Sequence, residues 1–427
     1  MSHALSPADP TDLSDEKVAA VQARTVRVLV GAQAIGAVGV TIGVATSSLL
    51  AREISGSDTQ AGFAQTAQVL GSAAAAYLLA RLMASRGRRI GQVTGMLVGA
   101  AGALGSVLAG VWGSMPLLLV ASALLGAMTA ANSAARYAAT DLAVPEHRAR
   151  ALSLVVWATT IGAVAGPNLT GPSGHLADAL GLPTLTGTFL VGALAMVIAA
   201  VVVWTLLRPD PLLLAQQRHA ATVGTPTTSA SLGETLAAIA SRPALAAAVV
   251  ALASAHAVMV SVMIMTPLHM EHGGAGLEVI GLVISGHVLG MFAFSPLVGM
   301  AVDRFGRAPV LIAGAGVLLV SLLLCAQSPQ GSSWLISTGL FLLGLGWSFA
   351  TVSAATMVAD LAPAHVRTQV QGAADVAMWL CAAAGGALAG LVVDHSGYPA
   401  LAAMAAVLTC GVLAAGVVVA RSSRVPG

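Results

Sequence analysis

Charged residues are scarce in this chain, and lysine is almost absent. Only 8% of the 427 residues are charged and Lys17 is the single lysine, whereas ordinary soluble domains carry about 25% charged residues. A chain with so few charges cannot cover a soluble globular surface, so that class of protein is excluded. The 57% content of hydrophobic residues and the mean hydropathy of +0.88 predict a membrane protein instead.

Cysteines are few and catalytic motifs are missing. The three cysteines, Cys325, Cys381 and Cys410, lie in separate apolar runs without paired spacing, which argues against a disulfide framework or a zinc site. We find no nucleotide-binding loop, catalytic triad or pair of carboxylates in a cleft, so we expect no enzymatic activity and no cofactor. The polar first 26 residues lack the basic start and short apolar run of a cleavable signal peptide.

Apolar runs recur along the whole sequence, and each is long enough to cross a bilayer. A helix of roughly twenty residues spans the hydrocarbon core, and only a helix pairs all its backbone groups there without neighbours. We therefore predict an all-α membrane protein with twelve transmembrane helices in two six-helix bundles. The predicted spans lie near residues 27–51, 59–84, 90–111, 114–138, 150–171, 184–207, 243–267, 278–302, 308–328, 333–358, 369–393 and 397–420. The segments are an N-terminal tail (1–26), a first bundle (27–207), a central loop (208–242), a second bundle (243–420) and a C-terminal tail (421–427).

The arginines indicate the orientation of the chain and a duplication within it. With twelve spans and both ends on one side, nearly all arginines at helix ends fall in connections on that side, so the positive-inside rule places both termini in the cytoplasm. A glycine-arginine pair recurs after 219 residues, at Arg88 and Arg307, and Asp141 and Asp360 have the same separation. Matches at one period predict a tandem duplication in parallel orientation.

Methionine and histidine crowd into residues 256–291, which hold five of the fifteen methionines and four of the ten histidines. Met259 and Met263 share one face of the seventh span, and His287 and Met291 share one face of the eighth, because each pair is four residues apart. At ~1.5 Å rise per residue, Met259 lies about 12 Å and His287 about 13 Å below the outer surface. We therefore expect these four side chains to meet near the membrane midplane.

The chemistry of this cluster favours a soft metal ion. Thioethers and imidazole select an ion such as Cu(I) over Mg²⁺ or Ca²⁺, and neutral ligands are less costly in lipid than carboxylates. His256, His269, Met270 and His272 extend the cluster along the seventh span to the outer mouth as accessory ligands. The residues alone leave two further roles open, namely methionine as core filler and histidine as a proton relay.

A loop after the eighth span resembles a family signature. Residues 299–307 contain a glycine, an Asp-Arg pair and a Gly-Arg pair, and this order resembles the signature loop of the major facilitator superfamily. The first-half copy departs from it, with an Ala-Ser pair in place of the Asp-Arg pair. We expect Asp303, Arg304 and Arg307 to latch one conformation, because a carboxylate beside arginines pairs with them and with a neighbouring helix N-terminus.

The metal motif resembles one branch of that superfamily. The spacing of Met259-xxx-Met263 and His287-xxx-Met291 is similar to the paired motif of the CcoA-like copper importers, which supply copper for haem–copper oxidase assembly. The resemblance implies an importer of copper in a bacterial cytoplasmic membrane, with these four residues as metal ligands and copper as substrate. The implied partners are the copper ion, the lipid bilayer, protons and a copper chaperone, with no nucleic acid and a monomeric protein.

Other functions remain open at this stage. Asp375, in the eleventh span, is a candidate for proton coupling or gating, because carboxylates inside the membrane are costly; pairing with Arg136 is the alternative role. Residues 162–167 resemble part of an exporter motif, and related members of the branch import riboflavin. The alternatives are therefore a proton-coupled carrier of an organic solute, either a drug exporter or a riboflavin-type importer, and a membrane sensor that binds copper without transport.

Overall fold

The computed structural model describes residues 14–223 and 230–422, and within these ranges the chain is helical and contains no strand. The first six helices are α1 (Asp15–Ser55), α2 (Asp58–Arg86), α3 (Arg88–Trp112), α4 (Met115–Ala138), α5 (Arg148–Ala179) and α6 (Thr186–Leu206). Two short helices follow, α7 (Pro211–Val223) and α8 (Leu232–Ala240). The remaining helices are α9 (Pro243–His272), α10 (Leu277–Phe292), α11 (Ser295–Phe305), α12 (Arg307–Ala326), α13 (Trp334–Leu361) and α14 (Arg367–Ser422).

These helices provide the twelve predicted spans, although two spans are not single straight helices. The eighth span consists of α10 and α11, which are separated just before Pro296 near the start of α11; proline has no N–H to continue the helical hydrogen bonds. The eleventh and twelfth spans both lie in α14, where Gly397 has a φ of 79° and turns the chain. A positive φ is readily adopted by glycine, which has no Cβ. The all-α membrane fold is confirmed.

Helical structure extends beyond the predicted spans. In the predicted N-terminal tail α1 begins at Asp15, whereas residues 1–13 lie outside the described residues, as do 423–427 at the other end. The predicted central loop contains α7 and α8, with 224–229 outside the described residues. At the start of α8, Ser231 and Glu234 cap each other's backbone N–H groups at 3.2 and 2.7 Å, and these hydrogen bonds hold the pKa of Glu234 below its ordinary value.

Two large apolar clusters form the core, one within the first half and a larger one that lies mainly in the second half and also includes residues of α4 and α5. In the first half, Met96, Leu125 and Met128 belong to one buried cluster, and the larger cluster of the second half includes Leu318 and Leu343. Small residues let the helices approach closely. A Cβ added at Gly71 of α2 would overlap a backbone oxygen of α4, which is the close packing expected between helices in a membrane.

Candidate substrate site and contacts between the two halves

Three of the four predicted metal ligands gather around a tryptophan. Met259 of α9, Met291 of α10 and Trp347 of α13 are 4%, 7% and 5% exposed and form one buried cluster, and the partly buried Met263 packs against it. The three methionines are called the thioether cluster below. Helix α10 packs mainly on α13, and α13 packs on α9. The methionines of the seventh and eighth spans therefore lie in one cluster with a residue of a third helix.

In the fourth predicted ligand, His287, one ring nitrogen forms a hydrogen bond and the other does not. Its Nδ1 lies 2.8 Å from the backbone oxygen of Leu340 in α13. Since a carbonyl oxygen only accepts hydrogen bonds, Nδ1 carries the proton and Nε2 of the neutral ring keeps a lone pair. The side chain is fully buried, and Nε2 has no hydrogen-bond partner among the described residues. The ring lies one helical turn from Met291, and its lone pair is available to a ligand.

His256 is oriented by the same tryptophan that borders the thioether cluster. The indole Nε1–H of Trp347 donates to Nδ1 of His256 at 3.0 Å, so the neutral imidazole carries its proton on Nε2. The ring centroid of His256 is 5.9 Å from Trp347 and 5.2 Å, edge to face, from Trp379. The Nε2 of His256 and the Nε1 of Trp379 are both buried without a hydrogen-bond partner in the described part of the chain. No sequence spacing links Trp347 to the methionines or to His256, and it was not predicted.

The predicted accessory ligands at the outer mouth have separate environments. His269 stacks on Tyr398 with ring centroids 4.2 Å apart, and its Nε2 lies 3.2 Å from the hydroxyl of Ser328. Met270 is fully buried in the core of the second half. His272 is exposed. Met270 therefore lies in the core, whereas His272 faces outward from the protein.

A buried ion pair connects the two halves inside the membrane. Arg136 of α4 donates through Nη2 to the carboxylate of Asp375 in α14, and the two side chains are 7% and 3% exposed. The same nitrogen lies 3.9 Å from the sulfur of Met378, and Nε has no partner among the residues described. The pairing of Asp375 with Arg136, one of the two roles that the sequence left open for Asp375, is therefore formed, and it crosses the interface between the halves.

The duplicated motif produces duplicated ion pairs at the arginine-rich face, by which we mean the end of the molecule formed by the α2–α3, α4–α5, α11–α12 and α13–α14 connections. Arg88 Nε lies 2.8 Å from Asp141, and the equivalent Arg307 Nε lies 2.9 Å from Asp360. The glycine before each arginine has a positive φ, 88° and 92°. Equivalent residues make equivalent contacts in the two halves.

The signature loop reaches from the second half into the first. Asp303 accepts hydrogen bonds from the backbone N–H groups of Ala149 and Arg150, at 3.1 and 2.9 Å, in the first turn of α5. Arg307 donates to the backbone oxygen of Pro145 at 2.7 Å. A carboxylate at a helix N-terminus is stabilised by the free N–H groups and by the helix dipole. Two of the three predicted latch residues therefore bind across the halves.

Further contacts join the halves at the same face. Arg148 of the first half bonds Asp360 of the second at 2.6 Å, and Arg88 donates to Gln371 at 2.7 Å. The third predicted latch residue, Arg304, lies over the neighbouring phenylalanine ring, 5.4 Å from its centroid. Asp360 thus accepts from one arginine of each half, which makes it a shared contact at the arginine-rich face.

The described residues contain no metal-binding cluster built from histidine, cysteine, aspartate and glutamate. Within 14–223 and 230–422, no three His, Cys, Asp or Glu side chains come together in a way that would hold an ion. Thioether sulfur, which the three methionines place together, is a donor outside that set.

Comparison with known proteins gives consistent results over most of the chain. A profile of the Major Facilitator Superfamily matches residues 28–279 and 262–426. The chain is 38% identical over 398 residues to the uncharacterized MFS-type transporter YddS of Bacillus subtilis, covering 93% of this chain and 91% of that protein. It is 28% identical over 382 residues to the riboflavin transporter RfnT of Brucella anthropi, covering 88% and 90%. Its fold is similar to that of the proton:xylose symporter XylE, with a TM-score of 0.71, 16% identity and coverage of 96% of both chains.

Proposed function

Since this chain belongs to the major facilitator superfamily, it is a secondary carrier, and we propose that it imports copper, as Cu(I), across the bacterial cytoplasmic membrane. The proposed ligands are Met259, Met263, His287 and Met291. Alternating access between the two halves would expose them first to one side and then to the other. The arginine-rich face is assigned to the cytoplasm by the positive-inside rule.

One observation supports copper above the others, namely the state of His287. Its Nδ1–H is held by the carbonyl oxygen of Leu340 at 2.8 Å, while Nε2 is buried without a partner in the described structure. A histidine ligand in a metal site is usually oriented in this way, with one nitrogen donating to a carbonyl and the other facing the ion. An unpaired nitrogen buried for packing alone would lose hydrogen-bonding free energy with nothing to offset it.

The remaining ligands suit a soft monovalent ion. Thioether sulfur binds Cu(I) and discriminates against the hard cations Mg²⁺ and Ca²⁺. All four proposed side chains are neutral, so the empty site has no net charge to stabilise in a low-dielectric environment. A site of a few neutral ligands also favours release, because no carboxylate or thiolate holds the ion.

Copper uptake by cells tests this proposal. Cells that lack the protein would be supplied with wild type or with His287→Ala, Met291→Leu or Met196→Leu, and uptake of radioactive copper would be measured at equal protein levels. We expect the first two variants to reduce uptake by at least about tenfold, since even residues that only orient a ligand contribute 10–100-fold. Met196 is a fully buried methionine of the first-half core, so Met196→Leu should transport normally. Normal uptake by both site variants would refute the copper proposal.

A second candidate, an organic solute with an aromatic ring and hydrogen-bond acceptors, is favoured by a different observation. His256 Nε2, Trp379 Nε1 and Arg136 Nε are all N–H donors buried without partners in the described residues. Two of them belong to rings packed edge to face, and a relative similar over most of the chain is named a riboflavin transporter. On this hypothesis radiolabelled riboflavin enters the cells, Trp379→Leu abolishes its uptake, and His287→Ala has no effect.

A further inference from the structure

Trp347 occupies a special position beside the thioether cluster. It belongs to the same buried cluster as Met259 and Met291, and its side chain is 5% exposed. It reaches them from α13, the helix that lies between α9 and α10 and whose Leu340 carbonyl also holds His287. An ion bound between the two sulfurs would therefore lie close to an indole ring.

The four proposed ligands do not neutralise the positive charge of that ion. Thioether sulfur and neutral imidazole carry no formal charge, so a bound Cu(I) would add one uncompensated positive charge to a buried site. The face of an aromatic ring is electrostatically negative and attracts cations, and tryptophan attracts them most strongly. The interaction is strongest where water is excluded, as it is around this cluster.

We propose that Trp347 is part of the metal site and stabilises the bound monovalent ion through a cation–π interaction, with His256 as its positioning residue. This inference rests on the proposed copper function. It assigns the ring a role distinct from that of the four ligands: the sulfurs and imidazole donate electron pairs, whereas the negative face of the neutral indole attracts the cation electrostatically.

His256 is suited to positioning and not to ligation through Nδ1. That nitrogen accepts the indole N–H of Trp347 at 3.0 Å, so its lone pair is used. Because an indole has a single donor, this hydrogen bond fixes which edge of the ring points to α9. Phe292 packs edge to face on the opposite helix at 5.6 Å, and the two contacts together restrict rotation of the indole.

Silver binding to the purified protein tests the proposal, because Ag(I) is a soft monovalent ion that is not oxidised under assay conditions. We would measure its affinity and the change it causes in near-ultraviolet absorption and tryptophan fluorescence. We expect Trp347→Leu to bind Ag(I) about 30-fold more weakly, and the spectral change to be absent. Trp347→Phe keeps most of the packing and should lose less affinity. Trp334→Leu is the matched control, because Trp334 lies on the same helix α13 but is 70% exposed and outside the thioether cluster; its affinity and spectral change should equal those of wild type.

The outcomes separate this inference from the function on which it rests. If wild type and Trp347→Leu bind Ag(I) equally while His287→Ala and Met291→Leu bind poorly, the role of Trp347 is refuted and the copper proposal stands. If Trp334→Leu is impaired as much as Trp347→Leu, the effect is not specific to the Trp347 ring, and the inference is again refuted. If wild type does not bind Ag(I), both proposals fail.

The positioning role of His256 has its own test. His256→Phe keeps a ring but removes the acceptor, and it should weaken Ag(I) binding about 2- to 10-fold, as expected for loss of one net hydrogen bond. His256→Gln supplies an amide oxygen as acceptor and should restore both affinity and the spectral change. Equal behaviour of the two variants would show that the hydrogen bond to Trp347 does not matter.

Discussion

Substitutions at the ion pair between Arg136 and Asp375 should affect the stability of the fold and the rate of transport differently. The two side chains are 7% and 3% exposed, so removal of one partner leaves the other charge buried and unpaired. Such a change lowers the free energy of unfolding by about 3–5 kcal/mol. We expect this loss for Asp375→Asn. Replacing both residues with leucine removes both charges, and its effect on stability should be close to neutral or stabilising.

Transport should respond differently from stability. The pair joins α4 of the first half to α14 of the second, and alternating access requires the halves to move relative to each other. If the pair controls that movement or carries a coupled proton, the double leucine variant will be stable but will transport slowly. The assay combines unfolding in detergent with uptake of copper by cells at matched protein levels.

An exposed ion pair provides the control for this experiment. Arg218 bonds Asp15 at 2.9 Å, but the aspartate side chain is 97% exposed, and exposed pairs contribute about 0–1 kcal/mol. Asp15→Asn should therefore leave unfolding and uptake unchanged. Two results would refute the reasoning: Asp375→Asn unfolding as wild type does, or the double leucine variant transporting at the wild-type rate, which would reduce the pair to a structural role.

Two further substitutions, and one control substitution, test contacts between helices. Asp303→Asn removes a charge from the N-terminus of α5, where the interaction of a carboxylate with the helix dipole contributes about 0.3–1 kcal/mol. The arginine-rich face should therefore open more often, and distance measurements between spin labels on α5 and α11 should show a larger separated population. An unchanged distance distribution would contradict the latch. Gly344→Ala places a Cβ in overlap with the backbone oxygen of His287, and overpacking of this kind costs about 1–3 kcal/mol. Gly286→Ala, with nothing within 4 Å of the added Cβ, should unfold as wild type or later, and equal melting of both variants would argue against tight packing of α10 on α13.

Most of the architecture follows from the sequence because a bilayer allows few solutions. Apolar runs of sufficient length must be helices, and the duplication is visible because its ion pairs need arginine and aspartate at fixed positions. The linker helices were missed because α7 and α8 have only 13 and 9 residues, too few to form an apolar run of membrane-spanning length. The capping box of Ser231 and Glu234 is a sequence signal for α8 that the composition of the central loop obscured.

The candidate site was less predictable, since its geometry depends on which helices pack together. Four-residue spacing places Met259 and Met263 on one face, but it does not say which helix that face contacts. Trp347 lies 56 residues beyond Met291 in the chain, and only the packing of α13 brings the two together. The hydrogen bond that leaves His287 Nε2 free is also invisible in the sequence, because its acceptor is a backbone oxygen.

The two candidate substrates would use the halves of the protein in different ways. The thioether cluster and His287 belong to α9, α10 and α13 alone, so a copper ion there would stay bound to one half while the movement of the other changed its access. The unpaired donors include Arg136 of the first half, together with Trp379 and His256 of the second, so an organic solute there would bridge both. Loosening the latch at Asp303 should therefore leave the affinity for a monovalent soft ion nearly constant, whereas the affinity for a bridging solute should change with the separation of the halves.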